Sequence, residues 1–267
     1  MSPRRLPTRL PILPTVAAAY RDWWRMVFAL HAVLTSAFLI LLAIAAVAEF
    51  VPRRLWDQPL AGEVLGLIED AVWVVLLAPV IVAIHRFVIL GETMRAYSFP
   101  VGKPAFRSFV AWLFALKVLA GLPFDLLGLL QALGLSLGAT SLGFAVALIA
   151  VAGVSLRLSI LLPALAVSAP GASAAHALAD SKDQALRILA IFGLALLPWV
   201  AATVGGVIAL GRGVAVTGSP QMMIDLVMGG VLQSGMLSLT AVIASHVFMA
   251  LAAQLKRSTA PLPGAVA

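Results

Sequence analysis

The chain has no cysteine, and only 11% of its 267 residues are charged. The first absence removes disulfides, thiolate metal sites and cysteine nucleophiles from consideration. The second argues against an ordinary water-soluble domain, in which about 25% of residues are charged and about 45–50% apolar; here 62% are hydrophobic. Acidic residues are scarcer than basic ones, 11 against 18, for a net charge of +7. In a soluble domain that balance would invite a nucleic-acid reading. Here the cations stand at the ends of apolar blocks, where they meet anionic lipid headgroups and direct insertion, so membrane lipids are the expected partners and nucleic acid is not. The cations are 14 Arg and 4 Lys, and with the abundant Ala, Gly and Val they point to a GC-rich bacterial genome.

Apolar length is what the chain has in quantity. Crossing a hydrocarbon slab ~30 Å thick takes about 20 helical residues at about 1.5 Å each. Blocks of that order fall near 26–48, 71–90, 106–130, 142–167, 186–210 and 231–255. The expected fold is therefore all-α, a polytopic transmembrane helical bundle of about six spans with short interfacial helices. It forms one domain over 15–257, between a disordered leader (1–14) and a disordered tail (258–267), both rich in Pro or small residues. Ala46, Val47 and Ala48 resemble a signal-cleavage triplet. The leader and the apolar run before them are too long for a signal peptide, so a retained first span is expected.

Six spans return the chain to its starting side, and the loop charges give that side a direction. Arg4, Arg5, Arg9, Arg21, Arg25, Arg86, Arg95, Lys103, Arg107, Lys182, Arg187, Lys256 and Arg257 fall on one side, and Arg53, Arg54 and Arg212 on the other. Thirteen against three places both termini in the cytoplasm and the protein in a bacterial cell (inner) membrane. Tyr20, Trp23, Trp24, Trp56, Tyr97 and Phe99 sit at span boundaries, as amphipathic rings do. The stretch 14–25 reads either as a short interfacial helix or as a continuation of the first span. Residues 170–187 read as a short interfacial helix. Before the last span, Ser219 as cap, Pro220 at the first helical position and a break at Gly229 and Gly230 predict a separate short outer helix. The four-residue spacings of Gly62 with Gly66, and of Gly134 with Gly138, are taken as intramolecular packing by default, with a homo-oligomer or a membrane protein partner left open.

Ionisable groups inside spans cost at least ~2.5–3.5 kcal/mol at mid-span on insertion scales, so each asks for a reason. Lys117 lies near the centre of the third span, Arg157 at a comparable depth in the fourth and His246 near that level in the sixth. No acid shares that depth on a sequence count, since Asp125, Glu69, Asp70, Glu49 and Asp57 all fall toward the outer side. Two readings stay open. Lys117 and Arg157 snorkel or bond carbonyls freed near Pro123 and Pro163, or, with His246, they form an intramembrane site for an anion or lipid. His85, beside Arg86, reads as a snorkelling residue near the inner end. The four histidines, at 31, 85, 176 and 246, lack metal-ligand spacing, so neither a metal nor another cofactor is expected.

Gly134, Ser136 and Gly138 satisfy a Gly-x-Ser-x-Gly pattern. With six spans and His246 on the last, the arrangement is similar to that of rhomboid-type intramembrane serine proteases. Depth opposes the pairing. Ser136 lies at the outer surface and His246 toward the inner one, more than about 10 Å apart at about 1.5 Å per residue, whereas a base works within about 3 Å of its nucleophile. No catalytic residue is assigned. Without a phosphate loop or dinucleotide fingerprint either, a non-enzymatic scaffold, accessory or regulatory protein of the cell envelope is the expectation, with a carrier, channel or lipid-handling protein as the alternative.

One stretch carries a resemblance. The run from Arg157 through Ser159 and Pro163 to Val167, then a small-residue linker and Ala177, Leu178 and Ser181, resembles a signature of uncharacterised bacterial six-span membrane proteins. It also resembles the membrane domain joined to some bacterial glycerophosphodiester phosphodiesterases. Lys182 stands where that pattern has an aromatic, and there is no soluble phosphodiesterase domain, so that activity does not carry over. The resemblance implies that Arg157 and Pro163 belong to one architectural feature, a kink with its cation.

Overall fold

A computed structural model describes residues 10–50, 58–209, 220–253 and 255–256. Among them the structure is all helical: α1 (Ile12–Ala29), α2 (His31–Phe50), α3 (Pro59–Leu90), α4 (Pro104–Ala132), α5 (Leu137–Leu158), α6 (Leu161–Ala166), α7 (Ala174–Asp180), α8 (Ala185–Ala209) and α9 (Pro220–Leu251). Six stretches are long and apolar enough to cross a membrane, namely 31–48, 61–90, 104–132, 137–166, 185–206 and 227–251. The chain is thus a multi-pass membrane bundle. Arg53, Arg54, Trp56, Arg212, Ser219, most of the leader and the tail lie outside the described residues.

α9 is the hub, packing against α1, α2, α3, α6 and α8. Its spanning window is 56% buried and that of α3 is 50%, whereas α4 reaches only 6%. Two central helices are therefore enclosed by protein, and α4 turns most of its surface outward. Tyr, Trp and Ser side chains tie α1 to the centre. Tyr20 Oη donates to Ala195 O (2.6 Å), and Trp23 Nε1 donates to Ser238 Oγ (2.9 Å). Trp23 also meets Trp199 edge to face, 5.6 Å between ring centroids. The stretch expected either to lie in the interface or to continue the first span is thus an 18-residue helix with its own core contacts, set off from α2 by Leu30 alone. It begins at Ile12, inside the stretch read as leader.

Two boundaries differ from expectation. α9 runs unbroken through Gly229 and Gly230, so no separate outer helix precedes the sixth span. Helical glycine costs about 1 kcal/mol relative to alanine but leaves the backbone bonds intact. At 230 it serves close approach, because an added Cβ would lie 3.0 Å from Phe38 Cε2. The fourth span, read as one helix, breaks at Ser159 and Ile160 between α5 and α6. Pro163 explains the position, since proline lacks an amide donor and its ring crowds the carbonyl four residues back, that of Ser159. Beyond it, Ser173 caps α7 by accepting from His176 N (3.3 Å).

Candidate functional site

Lys117, Arg157 and His246 each engage a different pair of elements. Lys117 Nζ lies 3.0 Å from Asp70 Oδ1 on α3 and 5.5 Å from the centre of the Trp73 ring. This corrects the reading that no acid is within reach of Lys117. α3 is 32 residues long, about 48 Å at 1.5 Å per residue, and the lysine stem reaches outward along it to the acid.

Arg157 ends α5 and reaches neither Pro123 nor Pro163. Its Nη2 donates to Leu178 O (2.6 Å) and its Nε to Ser181 Oγ (3.4 Å). Leu178 lies in the last turn of α7, whose terminal carbonyls have no partner within the helix and carry partial negative charge. Arg157 caps that end. Residues of the 157–181 signature therefore meet in space. His246 Nε2 stands 3.1 Å from Asp22 Oδ2 on α1, a close contact without the alignment of a directed hydrogen bond. Asp22 also meets Arg25 (3.2 Å) and Arg21 (3.7 Å). Asp22 was not singled out from sequence, because it sits inside an aromatic and basic stretch far along the chain from its histidine.

Ser136 caps α5 by accepting from Ala139 N (3.4 Å), on an exposed turn between α4 and α5. It and His246 thus have separate partners. His85 is buried rather than snorkelling, with Nδ1 2.8 Å from Ser245 Oγ. Ser245 Oγ in turn donates to Ala241 O (2.9 Å). The ring lines a partly open cavity of about 420 Å³ bordered by α3, α4, α5, α6, α8 and α9. Its walls are almost wholly apolar; Ser155, Ser159 and Thr240 are among the lining residues, and Ser155 Oγ has no partner among the described residues. Leu116 and Leu156 line it, so the cavity adjoins Lys117 and Arg157 in sequence without either cation contributing to its wall.

At one end of the bundle, cations bind backbone carbonyls. Arg86 Nη1 donates to Ala166 O at the end of α6 (3.1 Å) while its Nε and Nη2 grip Glu92 (2.8 Å each). Arg187 Nη1 donates to Leu10 O (2.9 Å). Lys256 Nζ donates to Met249 O (3.1 Å); burial lowers the pKa of this ammonium, and Asp180 opposes the shift. Leu255 N donates to Asp180 Oδ2 (3.0 Å) and Leu255 O accepts from Gly171 N (3.1 Å). Both described chain ends therefore dock on the 171–187 segment. Among the described residues no cluster of His, Asp and Glu could hold a metal ion. Comparison with family models, curated proteins and solved structures gives no match to this chain.

Proposed function

We propose that this chain is a non-enzymatic multi-pass protein of the bacterial inner membrane, with both ends cytoplasmic, that acts as a scaffold or accessory subunit for another envelope protein. The observation that supports it is how the interior polar groups are used. Tyr20, Trp23, His85, Arg157 and Ser238 hold helices to one another, while the outward-facing α4 leaves a long apolar side for a membrane partner. Affinity purification of the full chain from its own membrane in mild detergent is expected to bring down one stoichiometric membrane protein. Recovery without any partner, together with solute flux in liposomes, overturns the proposal.

The cavity beside His85 favours a second reading, that of a carrier or lipid-handling protein, because ligand sites are commonly apolar hollows with a few polar groups. Flux or transfer in liposomes, abolished by Ala244→Phe within the cavity, would select it.

The orientation rests on the cation asymmetry, with the docking of both chain ends on one segment in support. The absence of native cysteine makes single-cysteine labelling unambiguous. Arg95→Cys should react with an impermeant maleimide only in inverted vesicles, and Gln131→Cys only in intact cells. The opposite pattern would invert the topology.

A further inference from the structure

α4 opens with cations where a helix favours anions. Its cap is Lys103, which makes no side-chain capping bond, there is no acid in the first turn, and Arg107 follows directly. Cations at this end oppose the helix dipole. Neither side chain is neutralised: among the described residues, Lys103 and Arg107 have no ion pair or side-chain hydrogen bond. Glu92, which shares a polar pocket with Lys103, is taken by two nitrogens of Arg86.

Beside Arg107 runs an apolar groove of about 350 Å³ between α3, α4 and the segment before α4, and Lys103, two residues after its wall residue Val101, stands at the start of the same helix. Val75, Phe99, Val101, Val110 and Phe114 are among its walls, and Arg107 is the only charged residue lining it. Phe99 and Val101 are 42% and 51% exposed. Unneutralised positive charge beside an open apolar channel is complementary to one kind of molecule. We propose that this groove holds a single anionic phospholipid, its headgroup phosphate on Lys103 and Arg107 and an acyl chain along Phe99, Val110 and Phe114. The site is independent of whether the protein scaffolds or carries.

The test is native mass spectrometry of the detergent-purified full chain with phosphatidylglycerol or phosphatidylcholine added. The wild-type protein is expected to retain one phosphatidylglycerol and to release phosphatidylcholine. K103Q/R107Q should weaken retention about thirtyfold, as loss of two headgroup cations implies. Ala111→Trp, which fills the groove without altering charge, should do the same, and it decides the matter if the double variant fails to fold. R95Q/K182Q removes the same charge from exposed positions elsewhere and should leave retention unchanged. Equal loss in R95Q/K182Q would mean diffuse attraction and overturn the site. Undiminished retention in K103Q/R107Q or Ala111→Trp would overturn it too, as would displacement of the lipid by inorganic phosphate with Ala111→Trp inert, which would indicate a free-anion site.

Discussion

Replacing Lys117 with leucine is expected to destabilise the bundle by about 2 kcal/mol, and replacing Asp70 with leucine in the same chain to restore most of it. Removing one partner of a fully buried pair costs about 3–5 kcal/mol, mainly because the remaining charge is left uncompensated. Lys117 and Asp70 keep 40% and 31% of their side-chain surface exposed, which sets the expectation lower. Loss of the ammonium also removes its contact with the Trp73 ring. The measurement is a double-mutant cycle on thermal unfolding in mild detergent. If Lys117 only snorkelled to water, K117L would be neutral or stabilising and the two changes would add.

Gly235 is expected to tolerate no larger side chain. A Cβ there would fall inside the van der Waals surface of the Trp199 ring. The ring cannot simply swing away, because it packs edge to face on Trp23, whose Nε1 is bonded to Ser238. Overpacking a core costs about 1–3 kcal/mol, while alanine gains about 1 kcal/mol over glycine in a helix. Gly235→Ala should therefore lose about 1 kcal/mol net and Gly235→Leu about 3 kcal/mol. Trp199→Leu should remove most of the penalty of either change. A stabilised Gly235→Ala variant would mean that α8 and α9 are not in contact at this level.

These two sites show which parts of the structure can be read in the sequence. The blocks at 106–130 and 186–210 come within two residues of α4 and α8, because uninterrupted apolar length is itself the signal of a span. α3 begins twelve residues before its apolar block, at Pro59 rather than 71, because Glu63, Glu69 and Asp70 lower the hydropathy of a helix that continues past the slab. The ion pair was lost for the same reason. A residue count along α4 gives the depth of the Lys117 Cα, but the ammonium sits several bonds further along, where Asp70 waits on another helix. Pro163 was legible as a helix breaker because proline acts locally. The acceptor of Arg157, the carbonyl of Leu178, was not, because any residue type supplies a carbonyl. Asp22 with His246, Trp23 with Ser238 and His85 with Ser245 each join residues more than 150 positions apart, and no periodicity in a single sequence records such a meeting.

The central position of α9 also has a consequence in time. Of the described helices it leaves the ribosome last, yet it supplies Ser238 to Trp23, Ser245 to His85 and His246 to Asp22. Until it is synthesised and inserted, those three groups lack these partners, and α1, α2 and α3 lack the helix that all three pack against. The nascent chain must be held through that interval, and release before α9 is complete would leave these groups without their partners.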